Sequence, residues 1–114
     1  MVTDLEAVVM AVVIAHDLGA PLLKAPVPDA PPGRRRRLAV ERVVGSVGAP
    51  VLFLGGPRDG SSDGGDGAIR HRVLAEVADV MAGGGAGMAL GRVLYQDPDP
   101  ATFAAQVADA VFGR

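Results

Sequence analysis

Val51-Leu52-Phe53-Leu54-Gly55-Gly56 is the stretch that decides the fold of this 114-residue chain. Four apolar residues without polar alternation, closed by glycines, are the pattern of a strand covered on both faces, as in a parallel sheet. Two shorter apolar runs flank it at a distance: Ala20-Pro21-Leu22-Leu23-Lys24, and Gly87-Met88-Ala89-Leu90-Gly91-Arg92. Helical periodicity fills the intervals. Leu5, Val8, Val9, Val12 and Val13 predict a helix over residues 4–18 with Gly19 as its stop; the valines also suit a strand, but strict alternation is missing. Leu38, Val40, Val43, Val44 and Val47 predict a second over 34–47, and Ile69, Val73, Val77, Val80 and Met81 a third over 68–82, ended by Gly83-Gly84-Gly85. Asp97-Pro98-Asp99-Pro100 opens a fourth, with Phe103, Val107 and Val111 inward. Strands alternating with helices make a parallel sheet. The expected architecture is a single α/β domain over residues 1–114, with three parallel strands alternating with four helices.

The connecting segments have their own signals. Thr3-Asp4-Leu5-Glu6 has capping-box spacing, with Thr3 as the expected cap. The segment from Pro26 to Gly33 holds four prolines and reads as an exposed loop. The run from Gly60 to Gly67 carries no apolar residue and reads as a flexible segment.

Composition limits the classes of function. Apolar residues make up 49% of the chain and charged residues 21%, more apolar surface than a chain of this size covers alone, which points to a piece of a larger unit or a protomer with an apolar interface. A formal net charge of −2 argues against nucleic acid and anionic membrane as partners. Arg34 to Arg37 form one basic run without an interleaved aromatic, which predicts a solvated helix face. The absence of cysteine excludes disulfides and thiolate chemistry and is compatible with a cytoplasmic location. The early apolar stretch is shorter than the roughly 20 residues of a membrane span. His16 and His71 fall on separate helices, and Asp63 and Asp66 lack the spacing of a calcium loop, so no metal site is expected.

The residues that can carry chemistry lie where strands end. In parallel α/β folds the carboxyl ends of the strands form the functional face. Lys24 closes the first apolar run, and a lysine in a partly desolvated place can attack a carbonyl and form a Schiff base. Gly55, Gly56 and Gly91 close the other two runs, where backbone amides can approach an anion, and Arg92 adds positive charge. Read without a ligand, the same residues are an ordinary strand-end lysine and two tight turns.

Taken in order, Leu18-Gly19-Ala20-Pro21-Leu22-Leu23-Lys24, Pro50-Val51-Leu52-Phe53-Leu54-Gly55-Gly56-Pro57 and Gly85-Ala86-Gly87-Met88-Ala89-Leu90-Gly91-Arg92, with Tyr95-Gln96 and Asp99-Pro100, resemble the last three βα units of archaeal-type class I aldolases. That family includes fructose-bisphosphate aldolases and 2-amino-3,7-dideoxy-threo-heptulosonate synthases. The resemblance implies the C-terminal half of a (β/α)8, or TIM, barrel. It implies that Lys24 is the Schiff-base lysine and that Gly55, Gly56, Gly91 and Arg92 bind a substrate phosphate. The implied partner is a phosphorylated ketose or keto compound, with no cofactor. Ala25, Pro26 and Val27 replace the threonine and aromatic residue that usually follow the family's lysine, and Val93 replaces its asparagine. The family's acid/base carboxylate and tyrosine come from earlier strands; the sole tyrosine here, Tyr95, lies beyond the last strand. The expectation is a split or truncated aldolase, acting as a homo-oligomer or with a separate N-terminal half-barrel. The alternative is a non-catalytic remnant that binds phosphate or serves as an interaction module. A complete small doubly wound domain is disfavoured, because three strands are too few to cover four helices.

Overall fold

The computed structural model describes residues 3–55 and 65–113, so Gly56 and Asp63 lie outside the described residues. The elements run α1 (Leu5–Asp17), β1 (Leu23–Pro26), α2 (Arg34–Gly45), β2 (Val51–Leu54), α3 (Gly65–Ala82), β3 (Gly87–Ala89), α4 (Arg92–Tyr95) and α5 (Pro100–Phe112). Five helices therefore accompany the three strands, one more than the sequence predicted. The extra one, α4, is a four-residue turn too short to carry periodicity. Gly65 to Gly67, expected in a flexible segment, instead form the first residues of α3.

Two helices stop by the same device. At the end of α1, the Ala20 amide donates to the Ala15 carbonyl at 3.2 Å and the Gly19 amide to the His16 carbonyl at 2.9 Å, with Gly19 at φ 99°. At the end of α3, the Gly85 amide donates to Val80 at 2.9 Å and the Gly84 amide to Met81 at 3.2 Å, with Gly84 at φ 95°. This paired bonding satisfies the last carbonyls and requires a left-handed residue, hence glycine. Each helix is thereby turned back toward the strand that follows.

The start of α1 differs from expectation by one residue. Asp4, not Thr3, is the cap, and its side chain accepts from the Ala7 amide at 3.3 Å. The Thr3 hydroxyl instead donates to Asp29 at 2.6 Å, and the Asp29 amide donates back to the Thr3 carbonyl at 2.7 Å. The proline-rich loop is thus anchored to the chain ahead of α1.

The sheet has the order β1-β2-β3 and is parallel throughout. Leu23 lies level with Val51, Lys24 with Leu52 and Pro26 with Leu54; Leu54 in turn lies level with Ala89. Side chains alternate between the two faces of a strand. One face carries Leu23, Ala25, Val51 and Phe53, all buried against Val8 and Val12 of α1, Val40 and Val43 of α2 and Val80 of α3. A second cluster joins Val73 and Val77 of α3 to Phe103 and Val107 of α5. The other face carries Lys24, Pro26, Leu52, Leu54 and Ala89, none of them buried and none in either cluster. The unbroken apolar run of β2 predicted cover on both faces. Among the described residues only one face is covered.

The basic run is a solvated face at Arg34, Arg35 and Arg37, as expected, but not at Arg36. Arg36 is nearly buried, with its Nε donating to Asp79 at 2.8 Å and a terminal nitrogen 4.0 Å from Glu76. Asp79 also accepts from the Gly33 amide at 2.9 Å and lies 3.5 Å from Arg37. α2 thus starts against α3 through charge-assisted hydrogen bonds, which the packing needs because Glu76 and Asp79 are both buried.

A third buried carboxylate fixes the far end. Arg70 of α3 grips Asp97 with two nitrogens, and its guanidinium lies 5.6 Å from the centre of the Phe103 ring. The hydrogen bond from Arg70 holds the Asp97 carboxyl below its ordinary value of 3.8, aided by the Asp99 amide. Asp99 caps α5 and is lowered by the Thr102 hydroxyl, which donates to it at 2.6 Å. A group whose folded pKa is depressed adds stability above its unfolded pKa and loses it as pH falls through the folded value. The melting temperature is therefore expected to stay level above about pH 5 and to fall below about pH 4. In Asp97→Asn the acid limb of that profile should be shallower; an unchanged limb in a thermal melt series would contradict the assignment.

Candidate active site at the carboxyl rim of the sheet

Lys24 is the second residue of β1 and not its end, because the strand continues through Ala25 and Pro26. Its neighbours Leu23 and Ala25 point into the core, so its own side chain stands on the uncovered face and is exposed. Among the described residues no hydrogen bond or ion pair restrains its ammonium. An open groove beside it runs between β1 and α1, lined by Val8, Ala11, Val12, Ala15 and Leu22.

The glycines end β2 and β3 at the same rim, since the strands are parallel and in register. Gly55 lies three residues beyond the level of Lys24, a rise of about 10 Å at ~3.3 Å per residue. Gly91 lies two strands across from Lys24, a further ~10 Å at roughly 4.8 Å per strand.

The two turns have different reasons for being glycine. A Cβ on Gly55 would lie 2.3 Å from the Met88 methyl, 2.8 Å from a Glu76 oxygen and 3.0 Å from Leu90. Its side is therefore closed by packing, and its amide donates to the Ala89 carbonyl at 3.3 Å. Among the described residues, a Cβ on Gly91 would meet only the Tyr95 hydroxyl, at 3.8 Å. Arg92, the first residue of α4, is exposed beside it.

Asp29, on the loop after β1, accepts from the Thr3 hydroxyl as described above, and among the described residues no three His, Cys, Asp or Glu side chains converge on a common point. No described helix is long and apolar enough to cross a membrane. Two features escaped the sequence reading. Glu76 packs under Gly55, a placement visible only once α3 is set against the sheet, and Tyr95 turns back over Gly91, which its spacing of four residues within a helix would have signalled.

An open parallel sheet with helices on one face, its strands ending at one rim, is the arrangement of part of a (β/α)8 barrel. A crystal structure of an archaeal fructose 1,6-bisphosphate aldolase superposes with a TM-score of 0.79 at 29% identity, covering 98% of this chain and 39% of that one. A second, of an archaeal fructose-1,6-bisphosphate aldolase with its catalytic lysine covalently bound to the carbinolamine intermediate of the substrate, gives a TM-score of 0.76 at 28% identity, covering 97% of this chain and 39% of that one. In sequence, the 2-amino-4,5-dihydroxy-6-oxo-7-(phosphonooxy)heptanoate synthase of Streptomyces griseus is 34% identical over 108 residues, 95% of this chain and 34% of the synthase. No protein-family model matches. The resemblance to archaeal-type class I aldolases thus holds in both sequence and fold, and the chain is a partial TIM barrel spanning about a third of the length of these relatives.

Proposed function

We propose that this chain is part of a class I aldolase-type carbon–carbon lyase that forms a Schiff base with a phosphorylated ketose or keto compound. The observation that carries the proposal is Lys24, standing unrestrained on the uncovered sheet face below the rim, in a chain that matches Schiff-base aldolases over nearly its whole length. The lysine amine would add to the substrate carbonyl and lose water, giving an iminium that takes up, as an enamine, the electron pair released when the bond between its α and β carbons breaks, while the β-hydroxyl gives its proton to a base and that fragment leaves as an aldehyde. Gly56, Gly91 and Arg92 would hold the phosphate, while the Gly55 amide is already bonded to the Ala89 carbonyl. No metal or cofactor is required for these steps.

The uncovered face bears on the partner. Leu52, Leu54 and the free edge of β1 need cover, and in this proposal a second copy or a separate N-terminal half-barrel supplies both that cover and the acid/base groups. General acid–base help is worth about 10²–10⁴-fold, so this chain alone should form the iminium far better than it turns over. Light scattering that finds a stable monomer would remove the second copy from this account. A cytoplasmic setting, compatible with the cysteine-free sequence, belongs to the same proposal. The competing reading is a non-catalytic module that binds phosphate or a partner, and the lack of an acid/base side chain on Lys24 among the described residues favours it.

Borohydride separates the two. Incubation with dihydroxyacetone phosphate and the reductant should add the mass of one ligand less the oxygen lost as water to the intact chain if the amine reacts, and Lys24→Ala should abolish the addition. An unmodified wild-type chain would leave the binding module as the surviving reading.

A further inference from the structure

We infer that the groove between α1 and the free edge of β1 docks a parallel strand, brought by a polypeptide that carries the remaining βα units of a barrel and not by a second copy of this chain. The inference names the partner that the proposal above leaves open, and it rests on that reading of the chain as part of a barrel. The main chain of β1 shows which groups are on offer. The Leu23 and Val27 amides donate to the Pro50 and Leu54 carbonyls at 3.0 and 3.4 Å, so the odd-numbered residues of the strand bond to β2. Alternate residues of a parallel strand turn their amide and carbonyl to alternate sides. The Lys24 amide and the Lys24 and Pro26 carbonyls therefore face outward, where the described sheet has no further strand. Pro26 has no amide, so an added ladder ends there.

The groove beside that edge is apolar. One wall is Val8, Ala11, Val12 and Ala15 of α1, and the other runs from Leu22 to Pro26. Ile14 and Leu18 neighbour Ala11 and Ala15 on the helix surface, three residues on, and with Leu22 they are more than half exposed. The α2 side of α1 is already taken, since Glu6 holds Arg42 at 2.9 Å. Gly55 and Gly65, which border the undescribed residues, follow β2 and open α3, whereas this flank is built from α1, β1 and the turn between them.

Chain order says what fills it. α2 and α3 each link one strand to the next parallel strand, and such crossovers share a single hand. α1 enters β1 from the same covered face as those helices, so the strand that α1 would follow in a barrel lies parallel to β1 on its free edge. A second copy fails on two counts. Three strands per copy make six or nine and never the eight of a TIM barrel, the fold on which this chain superposes. Stacking two bare faces would bury a pair of Lys24 side chains against Pro26, Leu52, Leu54 and Ala89, with no carboxylate among them. A five-stranded complement closes the count and can bring its own carboxylate to that lysine.

The probe is the part of the Streptomyces griseus synthase that precedes its match to this chain, co-expressed with the full chain. The two should copurify as a one-to-one complex by light scattering. Hydrogen exchange followed by NMR should show the Lys24 amide about tenfold slower or more in the complex than in the chain alone, with the Ala25 amide slow in both. Ala11→Glu, at an exposed groove position, should leave the melting temperature of the chain unchanged and weaken the complex about tenfold or more, because it sets a charge in the docked strand's place. Absence of a complex, a complex with the Lys24 amide unprotected, wild-type binding by Ala11→Glu, or Lys24 protection that rises with the concentration of this chain alone would each overturn the inference. Failure of the Schiff-base reading looks different: a complex with a protected Lys24 amide that borohydride does not reduce onto dihydroxyacetone phosphate refutes the Schiff base and keeps the docked strand.

Discussion

Asp79→Ala is expected to destabilise the chain by about 3–5 kcal/mol, the usual result of removing one partner from a buried ion pair. Asp79 is 6% exposed and accepts from the Gly33 amide and the Arg36 Nε, so its loss strands a nearly buried guanidinium and a backbone donor together. Glu76, 4.0 Å from Arg36, is too distant to take over the hydrogen bonds. The same network fixes the loop that follows β1 to the helix that follows β2, so the damage reaches the rim. Urea unfolding monitored by circular dichroism should show the lowered midpoint. Replacing the pair together, as Arg36→Met with Asp79→Leu, should recover much of the loss, because well-packed apolar groups replace buried charges at little net cost. A single substitution costing less than about 1 kcal/mol would mean that the pair is solvated and that the burial is wrong.

Phe53→Ala should cost a similar amount, about 3–5 kcal/mol, for a different reason. Phe53 is fully buried at the centre of the middle strand, level with Ala25 on one side and Met88 on the other. Removing its ring leaves a cavity among Val80, Val40 and the Gly85 turn, where a Cβ on Gly85 would already lie 3.2 Å from the ring. Stability of a domain this size is itself only about 5–15 kcal/mol, so the variant should be close to unfolding at 37 °C. Phe53→Leu should retain roughly half the loss. Were Phe53→Ala to melt like the wild type, the covered face of the sheet would have to be the other one, and Lys24 would be in the core.

That last point shows what the sequence made legible. Strands were readable because Leu23-Lys24, Val51 to Leu54 and Gly87 to Ala89 are short apolar runs ended by glycine or proline, and the helices because Val8, Val12, Val40, Val43, Val73 and Val77 recur at helical spacing. Which face is bare was not readable. Leu52 and Leu54 are as apolar as Val51 and Phe53, so the run announces burial on both sides, and only the placement of α1, α2 and α3 reveals that one side waits for other cover. Long-range ion pairs were equally hidden. Arg36 sits in a run of four arginines whose local pattern is that of a solvated surface, and its carboxylate partner lies 43 residues away on another helix. Composition cannot announce such a pair.

The candidate site divides the same way. Lys24 and Gly91 stood out as strand-end residues; the structure sets Lys24 inside β1, level with Leu52 and Gly87, and Gly91 beyond the end of β3. Gly55 stood out for the same pattern, yet its glycine has a packing explanation in Met88, Glu76 and Leu90. Tyr95 was set aside because it follows the last strand. A short helix carries it back to the rim.

Everything functional rests on one amine behaving as a nucleophile. The direct measurement is peptide mapping by mass spectrometry after reduction in the presence of dihydroxyacetone phosphate. The account predicts that the modified peptide contains Lys24 and no other site is altered. Lys24 is the only lysine of the chain, so equal modification of the α-amino group, or a Lys24 peptide recovered unchanged, would contradict it.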